Sequence, residues 1–187
     1  MNIQLPTQMG KPAFLDWLDS REERYELVGG RVVMMVRASR AHGIIVRNLI
    51  INLHSQVDAR QWMVLSEFGL DAGPRTMRFP DIIVDRVGGG AGDLTATAPV
   101  FAAEVLSPST AAIDLGDKVA EYLRQPTLAA YLVLAQDEVK AWLWQRGDTG
   151  FPPGPAVIAG YDQTVRITAL GLDLSLATIY AGLEITE

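Results

Sequence analysis

Several features that define common protein classes are missing from this sequence. There is no cysteine among its 187 residues, which excludes disulfides and thiolate metal sites. No apolar run of eighteen or more residues occurs, so no membrane-spanning helix and no membrane partner are expected. The first residues, MNIQLPTQMGK, have neither a basic start nor an apolar core, so no signal peptide is expected. These absences predict a cytoplasmic location.

Familiar catalytic signatures are also absent. The chain contains neither a GxxxxGK[ST] phosphate loop nor a GxSxG nucleophile turn. The glycine run GGGAG at 88–92 is not followed by a helix start, so it does not predict a phosphate loop. The two histidines, His42 and His54, are too far apart along the chain to form a zinc pair on one helix. The chemistry therefore has to come from other residue types.

The charge of the chain is uneven. Its net charge of −6 argues against a protein that coats nucleic acid by bulk electrostatics. One segment is nevertheless basic, since no acidic residue occurs between Glu26 and Asp58. This segment is either an ordinary solvated face or a surface that docks phosphates. Its cationic residues are Arg31, Arg37, Arg40 and Arg47, accompanied by His42 and His54.

The composition and the hydrophobic pattern predict one folded unit over residues 1–187. Hydrophobic residues make up 49% of the chain, and there are no repeats and no long linker. RYELVGGRVVMMV at 24–36 predicts a hairpin around Gly29-Gly30, and Ser39 can cap a helix that runs to about Ala59. Further strands are predicted at 62–71, 78–86, 100–106, 128–135, 139–146 and 165–168, and further helices at 12–20, 114–125 and 174–180.

This order of elements predicts an α/β (α+β) fold. Its sheet should be mostly antiparallel or mixed, and helices should cover it. Trp142 and Trp144 alternate with Ala141 and Leu143 in one predicted strand. They are either exposed apolar positions that could form a homodimer face or part of a strand buried on both sides. The sequence leaves both possibilities open.

A single carboxylate stands out in the stretch FAAEVLSPST at 101–110. Glu104 lies in an apolar strand, where a charge is costly unless it is paired, hydrogen-bonded or bound to a metal. Asp81 follows Pro80 at the start of another apolar strand, and the glycine-rich loop at 87–99 connects the two strands. If these strands are neighbours in the sheet, the two carboxylates lie side by side. Lys118, on the next helix, is at the border of an apolar face and can reach the strand ends.

These three residue types together point to phosphate chemistry. Paired carboxylates suit Mg²⁺ or Mn²⁺, which prefer oxygen ligands. Such an ion can hold a phosphate oxygen and lower the pKa of an attacking water. The ammonium of Lys118 can stabilise the charge that develops in the transition state or help to activate the water.

Each residue also has a purely structural interpretation. Asp81 could simply start a strand after a proline. Glu104 could form a strand-end salt bridge, and Lys118 could be a solvated helix residue. The possible partners are Arg78 or Arg124 for Glu104, and Asp114 or Glu121 for Lys118.

Several motifs in order resemble one known family. They are YELVGGRVVMM, then Ser39 and His42, then PDIIV, FAAEVLSPST, DLGDKVAEYL and AAYLVL. Over roughly residues 12–180 the chain is similar to the Uma-two family of restriction-endonuclease-like proteins, within the PD-(D/E)XK nuclease superfamily. The stretch EVLSPST with the following lysine and tyrosine is the most specific part of this resemblance.

The resemblance implies a restriction-endonuclease-like core with a central mixed sheet flanked by helices. Asp81 matches the aspartate of the PD half-motif, and Glu104 matches the acidic residue of the second half. The superfamily lysine two positions later is replaced here by Leu106, and Lys118 on the next helix takes its place in this family. Glu26, in YELVGG, matches a family glutamate that would complete the metal site, and His42 also matches a family position.

Two functional hypotheses follow. The first is a Mg²⁺- or Mn²⁺-dependent endonuclease that hydrolyses DNA, with Asp81, Glu104 and Lys118 as catalytic residues and Glu26 as a third ligand. The basic segment, including His42, would then bind the DNA backbone, and a homodimer or another partner would supply target recognition. The second is a catalytically inactive nuclease fold that serves binding or regulation. In that case the carboxylates and Lys118 form a structural ion-pair network without a metal.

Overall fold

A six-stranded mixed sheet forms the centre of the computed structural model, which describes residues 8–35, 37–106 and 115–185. The strand order is β10-β9-β8-β7-β6-β3, and only the β7–β8 pair is parallel. The predicted mixed sheet with flanking helices is therefore confirmed. The strands of this sheet are β3 (Trp62–Ser66), β6 (Ile82–Arg86), β7 (Phe101–Val105), β8 (Ala130–Leu134), β9 (Lys140–Gln145) and β10 (Ala156–Ala159).

The two faces of the central sheet are covered by different elements. On one face, Phe101, Ala103 and Val105 of β7 lie in a core with helix α2 (Arg40–Gln56). On the other face, Ala102 and Leu106 lie in a core with helix α3 (Asp117–Tyr122). Because side chains alternate along a strand, Glu104 shares the α3 face with Ala102 and Leu106. The strand register therefore places this carboxylate beneath the helix that carries Lys118.

A second, four-stranded antiparallel sheet lies beside the central one, with the strand order β2-β1-β5-β4. The predicted hairpin is present, and both residues of its turn, Gly29 and Gly30, have positive φ. Helix α1 (Lys11–Leu18) packs on this sheet through Phe14. The strands are β1 (Tyr25–Val28), β2 (Arg31–Met34), β4 (Leu70–Gly73) and β5 (Thr76–Arg78).

Two predicted strands are each divided between the two sheets. The prediction of one strand over 62–71 is wrong, because β3 pairs with β6 in the central sheet and β4 pairs with β5 in the second sheet. The chain turns at Glu67, which has φ +52°. The predicted strand 78–86 is likewise interrupted at Phe79–Asp81, where Pro80 offers no backbone N–H for a ladder. This second break leaves Asp81 at the start of β6.

The carboxyl-terminal part contains more strand than the sequence predicts. Strand β10 follows the FPPGP loop and was not predicted. The short helix predicted near 174–180 is present as α4 (Leu176–Ile179), but it begins later than predicted, because strand β12 (Leu172–Ser175) precedes it. Strand β12 pairs with β11 (Thr164–Ile167), and buried apolar side chains of both strands join the α2-side core. The pairing explains the error, since alternating burial at Leu172 and Leu174 is strand periodicity.

The burial of Trp144 shows whether its strand is covered on both sides of the sheet. Trp144 is buried and stacks on Tyr131 with ring centroids 5.7 Å apart, whereas Trp142 is half-buried beneath Lys140. Trp144 therefore belongs to the core, and the strand is covered on both sides at that position. The homodimer stays a prediction.

The helix predicted at 114–125 lies only partly within the described residues. Its described part is α3, which ends at Tyr122. Its predicted start and the SPST segment at 107–110 lie outside the described residues.

In the part of the chain that the structure describes, no helix combines the length and the apolar character needed to cross a bilayer.

Candidate active site

The register of two neighbouring strands brings Asp81 and Glu104 together. Strands β6 and β7 are antiparallel neighbours, with Ile82 opposite Ala103. Asp81 directly precedes Ile82 and Glu104 directly follows Ala103, so both carboxylates lie at the same end of this strand pair. Both residues are buried, with exposed fractions of 6% and 4%. The predicted juxtaposition of strands is therefore present, although the two carboxylates have different hydrogen-bond partners.

Glu104 accepts two hydrogen bonds from helix α3 on a single oxygen. Lys118 Nζ and Tyr122 Oη each lie 2.9 Å from Glu104 Oε1. Lys118 is 6% exposed and Tyr122 is fully buried, so this pair lies in a water-poor environment. Lys118 is thus not the solvated helix residue of the structural interpretation. Leu106, two residues after Glu104, packs in the core on the same face.

Glu26 is tied to a second cation. Arg78 Nη1 donates to Glu26 Oε2 at 2.9 Å, and the backbone N–H of Phe79 donates to Oε1 at 3.3 Å. Lys118 Nζ lies 3.8 Å from Glu26 Oε1, so the lysine is shared between Glu26 and Glu104. Arg78 also donates Nε and Nη2 to the two oxygens of Glu121, at 2.7 and 3.0 Å. A continuous ion-pair network therefore joins β1, β5, α3 and β7.

Asp81 uses one oxygen for contacts within the protein. Its Oδ2 accepts the backbone N–H of Val105 at 2.8 Å and lies 3.0 Å from His42 Nε2. Its Oδ1 accepts no hydrogen bond from any residue that the structure describes. Asp81 is therefore anchored to the end of β7 and to the start of α2, while its second oxygen stays available for a ligand.

This group of residues has the donor chemistry of a Mg²⁺ or Mn²⁺ site. Among the described residues, no three His, Asp or Glu side chains by themselves enclose a metal ion. Mg²⁺ commonly binds through one or two carboxylates and completes its shell with water and substrate phosphates, so a two-carboxylate site fits this ion. Among the described residues, the surrounding carboxylates also outnumber the Lys and Arg cations. The carboxylates are Glu26, Asp81, Glu104 and Glu121, and the cations are Arg78 and Lys118.

Two pKa shifts reflect the electrostatics of this network. Burial raises the pKa of the Tyr122 hydroxyl well above its ordinary value, and the nearby charge of Glu104 raises it further. Burial alone would lower the pKa of Arg78, but hydrogen bonds to Glu121 and the charge of Glu26 outweigh it and raise that pKa. Tyr122 is therefore a neutral donor and Arg78 a permanent cation in the folded protein.

We expect stability to fall with increasing pH above about pH 10, the ordinary tyrosine pKa. In that range the unfolded chain loses the Tyr122 proton while the folded chain keeps it, so each further pH unit costs about 1.4 kcal/mol. Burial also raises the pKa of Tyr180, which adds a second contribution of the same sign. Urea denaturation from pH 8 to 11 should show a flatter decline for Tyr122→Phe and for Tyr180→Phe. An unchanged slope in both variants would contradict this account.

The arginines of the basic segment lie on exposed parts of three neighbouring elements. Arg31 is on β2, Arg37 is in the connection to α2, and Arg40 and Arg47 are two turns apart on one face of α2. Arg47 contacts the side-chain oxygen of Asn48, and none of the four forms an ion pair with a described residue. Their positive charge therefore remains available to an anionic partner, and their proposed contact with DNA stays a prediction.

Sequence reasoning did not predict the place of three residues in this network. Arg78 and Glu121 were considered only as alternative salt-bridge partners, and Tyr122 only as an apolar helix position and a family match. Away from this network, Asp85 was not considered either, although its buried carboxylate accepts the backbone N–H groups of Thr97 and Ala98. The charged residue in the apolar stretch IIVDR was the available signal for Asp85.

Comparisons with known proteins agree with the fold and identify the family. A family model described as "Uma2: Putative restriction endonuclease" matches residues 12–177. An uncharacterised protein, slr1290 of Synechocystis sp., is 26% identical over 188 residues, which cover 91% of this chain and 90% of that protein. The crystal structure of a putative nuclease belonging to DUF820 from Anabaena variabilis superposes with a TM-score of 0.76 at 18% identity. That similarity covers 92% of this chain and 98% of the other, and it supports a shared fold.

Proposed function

This chain belongs to the Uma2 family, described as putative restriction endonucleases, and from that premise we propose that it is a metal-dependent endonuclease acting on DNA. The observation that supports the proposal is the pairing of β6 with β7, because it brings Asp81 and Glu104 to the same end of two neighbouring strands, and Lys118 lies 2.9 Å from Glu104. Asp81 and Glu104 would hold Mg²⁺ or Mn²⁺, and Glu26 would be a third ligand after release from Arg78 or Lys118. A bound ion supplies positive charge for a phosphate oxygen and a water of lowered pKa.

Asp81, Glu104 and Lys118 each have a separate role in the proposed reaction. Asp81 contributes Oδ1, because its Oδ2 is already occupied by the backbone N–H of Val105. Glu104 would be presented from strand β7, where Lys118 and Tyr122 hold its Oε1. Lys118 supplies an ammonium in a water-poor environment, where its charge stabilises a developing phosphate charge more strongly than it would in bulk water.

Substrate binding would use the exposed arginines. Arg31, Arg37, Arg40 and Arg47 carry positive charge without a carboxylate partner among the described residues, so they can contact backbone phosphates. Such contacts position a duplex but carry no sequence information. A second copy of the chain would double the docking surface and supply symmetric contacts, which sedimentation analysis with and without DNA can test.

A specific observation also favours the second candidate, an inactive scaffold. Glu104 and Glu26 are both paired with cations in the present arrangement, so the network is self-sufficient without a metal. Buried networks of this type can serve specificity of folding rather than catalysis. This candidate predicts that loss of Glu104 lowers stability but changes no metal-linked property.

Isothermal titration of Mg²⁺ and Mn²⁺ separates the two candidates. We expect the wild-type protein to bind about one or two ions, and Glu104→Gln and Glu104→Ala to lose this binding. Asp93→Asn, which changes an exposed loop carboxylate, is the matched control and should bind as the wild type does. Each titration is repeated with a short DNA duplex, because phosphates complete many Mg²⁺ sites. If no ion binds with or without DNA while all proteins stay folded, the endonuclease hypothesis is wrong and the inactive scaffold is the supported function.

A further inference from the structure

His42 is the one histidine whose side chain reaches a candidate ligand among the described residues. Its Nε2 lies 3.0 Å from Asp81 Oδ2, and its side chain is 14% exposed. Because a carboxylate oxygen can only accept, this contact requires the proton of the imidazole to be on Nε2. The same oxygen accepts the Val105 N–H, so Asp81 Oδ2 is held from two sides. This placement gives His42 a role that differs from phosphate docking.

The environment of the other ring nitrogen of His42, Nδ1, indicates that the ring acts on Asp81 rather than on a substrate. His42 Nδ1 is buried and has no hydrogen-bond partner in the part of the chain that the structure describes. A nitrogen without access to water cannot take a proton from an attacking water, so a general-base role for Nδ1 does not fit. A phosphate contact through Nε2 would require the histidine to leave Asp81. The ring is therefore placed to orient the aspartate.

His42 is itself held in place at the start of helix α2. Its backbone N–H donates to the side chain of the capping residue Ser39 at 3.1 Å. The Ser39 hydroxyl also lies 2.5 Å from Gln136 Oε1, in the turn between β8 and β9. A continuous series of contacts thus connects this turn, the helix start, Asp81 and the end of β7. The Ser and His of the sequence resemblance belong to this one series.

We propose that His42 is a positioning residue that fixes Asp81 through Oδ2 and thereby leaves Oδ1 as the oxygen for a cation. The proposal rests on the metal site of the proposed function. Partners that orient a ligating carboxylate typically affect metal affinity by about 10–100-fold when they are removed. His42 would therefore act on the metal site through Asp81, without contacting the substrate.

The hydrogen bond itself can be tested without metal or substrate. The chain has only two histidines, and His54 is exposed near the end of the same helix, so it is an internal control. At about pH 8, above the ordinary histidine pKa, a ¹⁵N-resolved proton spectrum should show one slowly exchanging imidazole N–H. This signal should disappear in His42→Gln, persist in His54→Gln and move in both Asp81→Ala and Asp81→Asn. The absence of the signal, or its indifference to both Asp81 variants, would overturn the proposal.

The functional part is tested by Mg²⁺ titration of three variants. We expect His42→Leu to bind Mg²⁺ at least about tenfold more weakly than wild type. His42→Gln keeps an N–H donor of similar reach, so it should recover part of the affinity, and His54→Leu should match the wild type. Backbone amide spectra confirm that each variant is folded. A purely structural role would not produce this recovery by glutamine at unchanged fold.

The outcomes of these experiments distinguish a failure of the positioning role from a failure of the proposed endonuclease function. If wild type and His42→Leu bind Mg²⁺ equally, the positioning role is wrong while the metal site stands. If wild type binds no Mg²⁺ with or without DNA, the metal site is wrong. In that case the imidazole N–H signal alone tests the contact between His42 and Asp81. A signal that moves in the Asp81 variants supports this contact, and a signal that does not move overturns it.

Discussion

A Lys118→Met variant is expected to bind Mg²⁺ at least as tightly as the wild-type protein but to cleave DNA about 10²–10³-fold more slowly. The two expectations have one cause. Lys118 Nζ is 2.9 Å from Glu104 and 3.8 Å from Glu26, so its ammonium competes with any cation for these carboxylates. Its removal increases the local negative charge, which favours metal binding. The same removal takes away the positive charge that would stabilise the transition state.

The measurement combines Mg²⁺ titration, thermal unfolding and nicking of supercoiled plasmid. Without metal, Lys118→Met should lose about 3–5 kcal/mol, because it leaves Glu104 and Glu26 buried without this cation. Mg²⁺ should raise its unfolding temperature more than it raises that of the wild type. Lys140→Met is the control, since Lys140 pairs with Glu138 at the surface. If Mg²⁺ affinity falls together with activity, Lys118 orients Glu104 rather than competing for it.

The elements that depend on local signals could be predicted from the sequence. The hairpin follows from two glycines that tolerate positive φ, and the start of α2 follows from the capping hydroxyl of Ser39. The pairing of β6 with β7 follows from two apolar strands joined by one loop. Lys118 was placed correctly near Glu104 because helical spacing puts it beside the buried face of α3.

The other features depend on contacts between distant parts of the chain. The turn at Glu67 and the break at Pro80 send adjoining segments to different sheets, and no periodicity of 62–71 signals this division. The contact between His42 and Asp81 joins α2 to the start of β6, so it requires the three-dimensional packing. The sequence could identify Glu26 as a candidate ligand, but only the structure places its carboxylate against Arg78.

Arg78 connects the second sheet to the helix that carries Lys118. Arg78 is 2% exposed, and its guanidinium donates to Glu26 of β1 and to both oxygens of Glu121 on α3. A planar guanidinium suits this two-sided arrangement, since its five donors can serve two carboxylates at once. Through Glu121, Arg78 ties α3 to β5, and α3 carries Lys118, whose Nζ lies 2.9 Å from Glu104. The second sheet therefore contributes to the site although it carries neither Asp81 nor Glu104.

Replacement of Arg78 by methionine should cost about 3–5 kcal/mol of folding stability, because it leaves Glu26 and Glu121 without their main cation. Urea denaturation of Arg78→Met, Glu26→Gln and the double variant measures this cost. The double variant should be more stable than Arg78→Met alone, since Glu26→Gln removes one stranded charge. Arg75→Met changes an exposed arginine three residues earlier and should alter stability by no more than about 0.5 kcal/mol. A loss below about 1 kcal/mol for Arg78→Met would mean that apolar contacts alone hold α3 on the sheet. The position of Lys118 would then follow from the packing of Tyr122 rather than from the ion pairs.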